Sequence, residues 1–404
     1  MAMQCPKLRA IDVRPFVQDG QGYFLLRDPL GLSDKMLSVP RQLGPLLALC
    51  DGTRDNAALR AALAVRFGLR VGPDVVERLV AALDEALLLE NERFAQAYEK
   101  ALDEYRRSPC RLPASAGLSY PSDADELRRM LQACLDAVDD PREEYAELRG
   151  LISPHIDYAR GGPVYAQVWK HAAASVRAAE LVIVLGTDHA GSRGGVTLTR
   201  QHYATPFGVL PTAVDVVDAL AEAIGPETAF ADELHHRGEH SIELAAIWLH
   251  YIRQEQPCQL VPILCGSFSH FVQGEADPGQ DATIAALLET LPQVIAGRRV
   301  LVVAAADLSH VGPAFGGQPV DLLGRARLQA ADEMVIERVC AGDASGFFEL
   351  IRRNGDRNNI CGLPPIYLTL RLLNSARGML VAYTRCPADE QSTSWVTIGG
   401  ILLS

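Results

Sequence analysis

Three runs of this chain, "ELVIVLG", "QLVPILC" and "VLVVAAA", are apolar at nearly every position, and nothing else in the sequence restricts the fold as much. A strand with one wet face alternates polar and apolar residues, so a strand without alternation must be covered on both sides. A shorter run, "RGLIS", precedes them, and helical stretches such as "YAQVWKHAAASVRAA" and "DATIAALLETLPQVIA" lie between. This rhythm predicts an α/β domain with a mainly parallel or mixed central sheet flanked by helices. Near the end, "GMLVAYTRC" and "TSWVTIGGILLS" are expected to close the sheet as an antiparallel pair.

The first hundred residues follow a different pattern. "GYFLLRD", the turn "DPLG" and "KMLSVP" read as a hairpin, and "RQLGPLLALCDGTR", "NAALRAALAVRFG" and "GPDVVERLVAALDEALLLEN" read as three short helices. The expectation is a small winged-helix-like α+β domain over residues 1–95, a connecting helix and Pro/Ser/Ala-rich linker over 96–112, and the α/β domain over 113–404. A chain of 404 residues is too long for one ordinary core, which agrees with two domains. The net charge of −12 argues against a nucleic-acid binder, and no apolar run approaches the roughly 18 residues of a membrane helix. "MAMQCPKLRAIDVRPF" lacks the apolar core of a signal peptide, so the expected compartment is the cytoplasm. Nine scattered cysteines without CxxC pairs argue against disulfides, a zinc ribbon or a cysteine-held cluster.

In open α/β sheets, ligands sit beyond the carboxyl ends of the strands. Three apolar runs deliver a histidine there: "LISPHIDYARGG" gives His155 and Asp157, "LVIVLGTDHAG" gives Asp188 and His189, and "VLVVAAADLSHVG" gives Asp307 and His310. "RGEHSIELAAIWLHYI" reads as a helix with His240 in its first turn, on the face of Leu244, Ile247 and Tyr251. Cys361 in "RNNICGLPPIYLTLRLL" stands just before a helix start, which favours a thiolate. A single histidine at a strand end is ordinarily a hydrogen-bonded loop residue, but three of ten at equivalent ends make coincidence the weaker account. His171, His202, His235, His236, His250 and His270 lack this placement and read as surface or structural. For Asp157 and Asp188, loop hydrogen bonding weighs at least as much as chemistry.

These segments also carry a resemblance. "PASAGLSYPSDADELRRML", "SPHIDYARGG", "LGTDHAG", "ATPFGVLPTA", "GEHSIEL", "ADLSHVG" and "NNICGLPPIY", in that order, resemble the Memo family, called protein B in AmmeMemoRadiSam gene sets. That family is similar to the class III extradiol dioxygenases, whose non-haem Fe(II) is held by two histidines and a carboxylate. The resemblance implies His155 and His189 as metal-binding histidines and Cys361 in the place of the carboxylate. It implies His310 as the acid–base histidine with Asp307 beside it, and His240 as a further pocket histidine. The order of the first domain and its "CDGTR" turn resemble the PqqD-like domain over roughly residues 8 to 95. That resemblance implies a peptide ligand; a plain helical adaptor is the alternative.

The expected activity is that of a non-haem, metal-dependent redox enzyme of dioxygenase type. His155, His189 and Cys361 would hold the metal, His310 oriented by Asp307 would move a proton, and His240 would orient oxygen. Fe(II) is the first expectation; a thiolate softens the site and admits Cu(I) or Zn, and it argues against a direct transfer of ring cleavage. A radical-SAM partner follows from the resemblance alone, since this chain has no cysteine triplet for such a cluster. The alternatives are a metal- or peptide-binding protein without turnover and a metal-dependent hydrolase. A Ser–His–Asp hydrolase is excluded because no G-x-S-x-G elbow occurs and Ser309 adjoins its histidine. "GTDHAGSRGG" has the spacing of neither a dinucleotide fingerprint nor a P-loop.

Overall fold

A computed structural model describes residues 5–140, 147–191 and 194–404. Part of the N-terminal stretch read for a signal peptide, residues 1–4, lies outside them, as do Ser192 and Arg193 of the glycine-rich run. The chain divides into two compact units, Met1–Arg107 and Ser108–Ser404.

In the first unit, β1 (Asp12–Gln18), β2 (Gln21–Arg27) and β3 (Leu37–Pro40) form an antiparallel sheet in that order. The expected hairpin is the β2–β3 pair, with Tyr23 opposite Pro40. β1, which the sequence reading left out, pairs with β2 along its whole length. The helix Asn56–Phe67 starts where the Asp55 side chain takes the Ala58 N–H and stops at Gly68, whose φ of 66° suits glycine. The expected connector begins inside the helix Glu92–Arg107, which is part of this unit. Arg9 stacks on Phe94 of that helix at 4.7 Å, and Arg93 pairs with Asp84 at 3.3 Å.

The second unit is built on an eight-stranded mixed sheet. Its strands are β4 (Gly150–Ser153), β5 (Leu181–Thr187), β6 (Val196–Leu198), β9 (Gln259–Cys265), β10 (Val300–Ala305), β11 (His310–Val311), β12 (Gly378–Pro387) and β13 (Trp395–Leu403). A separate hairpin joins β7 (Tyr203–Thr205) and β8 (Gly208–Leu210). The order is β11-β13-β4-β10-β5-β9-β6, with β12 on β13. β4, β10, β5 and β9 are parallel; β13, β11 and β6 add antiparallel edges, and β12 pairs antiparallel with β13. The unalternating apolar pattern has a direct cause. Leu181, Ile183 and Leu185 pack into one core while Val182 and Val184 pack into the other, so both faces of β5 are dry. Each such side chain contributes roughly 2 kcal/mol of burial. Among the described residues, no helix is long and apolar enough to cross a membrane.

Parallel register brings four carboxyl ends to one rim: Ala305 lies opposite Ser153 and Gly186, and Thr187 opposite Cys265. His236, on the short helix His235–Gly238, fastens the segment facing that rim. Its Nε2 donates to Thr197 O at 3.0 Å and its Nδ1 accepts from Tyr203 Oη at 2.6 Å. Burial first, then nearby Arg111 and His235, lower its pKa from 6.5 to about 3. The native protein therefore keeps it neutral while the unfolded chain protonates it. Its contribution to stability is complete above pH 6.5 and is lost as the pH falls toward 3, by at most about 1.4 kcal/mol per unit. Urea unfolding at stepped pH is expected to show this slope, reduced in His236→Gln.

Candidate metal centre

The site is assembled from the residues just past the sheet rim. His155, two positions beyond β4, is 2% exposed; its backbone N–H donates to Asp307 Oδ1 at 2.8 Å and its Nδ1 donates to Ala305 O at 2.9 Å. With Nδ1 used, Nε2 is the free donor atom. His189, two positions beyond β5, directs Nδ1 at the Glu239 carboxylate at 3.0 and 3.1 Å. His240 directs its own Nδ1 at the same carboxylate at 3.1 Å. Glu239 also accepts the backbone N–H groups of His189, His240 and Ser241 at 2.8–3.0 Å. One buried carboxylate thus fixes the orientation of two imidazoles, and such outer hydrogen bonds are what set a ligating histidine.

The result is convergence. A ligand atom from each of His155, His189 and His240 lies within 4.8 Å of the others, so the three could hold one metal ion. The rings of His189 and His240 stack at 4.8 Å, and that of His155 meets them edge-on at 5.1 and 5.5 Å. Burial alone would raise the Glu239 pKa, but His189 and His240 hold it well below the usual carboxylate range. Burial alone would lower His155, but Asp307 and then Cys361 bring it up to about 9.

Cys361 comes within reach of His155 from a different segment. It precedes the helix Leu363–Leu373, and Thr187 Oγ1 donates to its carbonyl at 3.2 Å. Gly362 N–H donates to Asp307 O at 3.1 Å, and a Cβ on Gly362 would collide with that carbonyl, so glycine is required here. Sγ lies 3.3 Å from His155 Nε2, close enough for both to share an ion. Burial raises a thiol, as at Cys50 and Cys386, each pushed up to about 11. At Cys361 burial is overcome by the charges of His155 and His310 and by hydrogen bonds with His155 and His189, and the thiol falls well below its usual range.

Other expected residues fall differently. Asp307 does not orient His310: its carboxylate accepts from the His155 backbone and lies 3.8 Å from His155 Nε2. His310 instead sends Nδ1 to Leu308 O at 3.2 Å, takes Asn358 O with its N–H at 2.7 Å, and meets the Phe315 ring edge-on. His240 caps the helix Ser241–Ile252 from just outside its first turn, and Glu239 turns its ring inward. His240 therefore joins the three-imidazole set, where the sequence reading gave it an orienting role and placed only two histidines on the metal. Asp157 caps the helix Tyr158–His171 through Arg160 N–H at 3.0 Å. Asp188 binds His235 Nδ1 at 2.8 Å and the N–H groups of Ala190 and Gly191.

Two acids escaped the sequence reading. Glu239 was hidden beside the histidine of "GEHSIEL". Glu243 had a signal, since it is the one acid in a helix whose residues 241 to 250 are all buried. It forms a fully buried ion pair with Arg111 and accepts from Tyr120 Oη and the N–H groups of Ala114 and Ser115. Arg111 further donates to His236 O at 2.8 Å and Glu239 O at 2.6 Å, which grips the segment carrying Glu239 and His240. A pocket of about 400 Å³ opens beside His189 and Cys361.

The Memo-like protein family matches residues 111–401. A MEMO1 family protein of Aquifex aeolicus is 27% identical over 312 residues, covering 77% of each chain. One from Methanopyrus kandleri is 29% identical over 68% of this chain and 91% of its own length. One from Thermus thermophilus is 28% identical over 84% of this chain and 95% of its own.

Two substitutions test this architecture. Arg111→Met leaves a buried charge unpaired and is expected to cost about 3–5 kcal/mol in urea unfolding. Glu239→Gln keeps the shape but removes the charge behind two imidazoles; competition with a chelator is expected to show roughly 10–100-fold weaker metal binding in a protein of unchanged circular dichroism.

Proposed function

This chain belongs to the Memo-like family, and from that premise we propose that it is a metal-dependent redox protein acting on a small molecule or peptide. His155, His189 and Cys361 would hold the ion, with His240 as a third imidazole. The donor set fits a soft or borderline transition metal, Fe(II) first, with copper or zinc as alternatives. When bound, Fe or Cu would supply the one-electron and oxygen chemistry that side chains lack. The single observation that carries the reading is the Cys361 sulfur 3.3 Å from His155 Nε2, beside imidazoles whose outer nitrogens are already bonded. Zinc hydrolases are more often built on histidine and carboxylate ligands, and a thiolate there is the less usual choice.

The chain's own residues have defined tasks. Glu239 keeps His189 and His240 turned so that Nε2 faces inward. Asp307 holds the backbone of His155. His310, with Nδ1 on Leu308 O, keeps Nε2 to accept or release a proton, and its charge stabilises the Cys361 thiolate. For the first unit we propose peptide holding in the PqqD-like manner, supported by the order of its strands and helices. A separate radical-SAM protein is the partner this would imply.

The test starts with metal analysis of protein purified without air. Fe(II) reconstitution and oxygen-uptake measurements on catechols and candidate peptides follow. Uptake that depends on both metal and substrate is expected; a fully loaded protein with no uptake on any of them would sink the redox reading. Co(II) substitution is expected to give a sulfur-to-cobalt charge-transfer band. Cys361→Ser should abolish that band, and its persistence would remove Cys361 from the ligand set.

A further inference from the structure

The pocket beside Cys361 has a charge asymmetry that the metal reading leaves unused. Much of its wall is apolar: Phe268, Val272, Ile360, Leu363 and Pro364. Two carboxylates line it, Asp188 and Asp356; its imidazole, His189, is already paired with Glu239, and among the described residues no lysine or arginine lines it. Asp188 is fully engaged, by His235 on one oxygen and by the Ala190 and Gly191 N–H groups on the other. Asp356 is not. Its Oδ1 accepts the Ile360 N–H at 3.0 Å, and its Oδ2 has no hydrogen-bond partner among the described residues.

Asp356 is also held in position. Its N–H donates to Ile351 O at 3.0 Å, its carbonyl accepts Asn359 N–H at 2.9 Å, and Asn358 O in the same loop takes the His310 N–H. The loop runs directly into Cys361, so this carboxylate and the thiol line one cavity. A carboxylate oxygen without a partner, on a residue that lines a cavity of mixed apolar and polar wall, is stabilised by a donor, and most strongly by a charged one. The cavity's size suits a ligand of small-molecule or dipeptide scale.

We propose that this pocket binds a primary ammonium group carried on an apolar body, with the ammonium on Asp356 Oδ2 and the body against Phe268, Val272 and Leu363. That the ligand is a substrate rests on the redox reading of the neighbouring cluster; the binding itself does not. The ammonium could come from a free amine or from a peptide N-terminus.

Calorimetry on the full metal-loaded chain tests this with four probes: phenethylamine, 2-phenylethanol, phenylalanyl-glycyl-glycine and its N-acetyl form. Phenethylamine is expected to bind about tenfold or more tightly than the alcohol of the same shape. Asp356→Asn retains an acceptor for Ile360 N–H and removes the charge, so the preference should shrink to about twofold or less with affinity for the alcohol unchanged. Binding of the free tripeptide but not the acetylated one would identify a peptide N-terminus; binding of phenethylamine alone would identify a free amine. Equal affinity for amine and alcohol in the unaltered protein, binding of no probe, or a preference that survives Asp356→Asn overturns the proposal. The first two of these comparisons need no variant and decide the matter even if Asp356→Asn fails to fold. A missing cobalt–thiolate band with an intact amine preference would sink the metal ligation by Cys361 and leave this proposal standing, and the opposite pair of results would do the reverse.

Discussion

The fully buried pair of Arg111 and Glu243 is the interaction on which the rest of the second unit's site depends. Burying two charges costs several kcal/mol each, and their attraction offsets this only when every remaining donor and acceptor is used. Here the condition is met. Glu243 accepts from Arg111, Tyr120, Ala114 and Ser115, and Arg111 also takes the carbonyls of His236 and Glu239. The guanidinium therefore fixes the backbone at His236 and at Glu239. Glu239 in turn fixes His189 and His240, so a charge pair that offers no ligand atom of its own helps determine where two imidazoles point.

A second constraint comes from the sheet. Parallel strands end together, and the residues following β4, β5 and β10 are delivered to one edge without help from loops. Strand ends bring the first donors within reach, and loop hydrogen bonds aim them. The two layers meet at Ala305, whose carbonyl ends β10 and takes His155 Nδ1.

Much of this was legible in the sequence because it follows from local pattern. Unalternating runs announced a doubly covered sheet, and reading each to its carboxyl end found His155, His189 and the Asp307–His310 pair. Cys361 stood out by its place before a helix, although the imidazoles opposite, rather than the helix, are what depress its thiol. What stayed illegible was partnership across the fold. Asp307 lies three residues from His310 and was paired with it, yet its carboxylate serves His155, 152 positions away. Nothing in the pattern around Glu239 sets it apart, yet five donors close on it. β1 was overlooked because its burial is slight and its ladder, not its side chains, makes it a strand.

The turn at residues 361 and 362 has a consequence for how such a site can change over evolutionary time. Its backbone is pinned by the Thr187 hydroxyl, by the Asp307 carbonyl and by the absence of a Cβ on Gly362, and none of these involves sulfur. The atom presented at 361 can therefore be exchanged by a single codon change while the chain path stays put. Replacing sulfur by oxygen at 361 would turn the same architecture from a soft donor face to a harder one without first inventing a new fold.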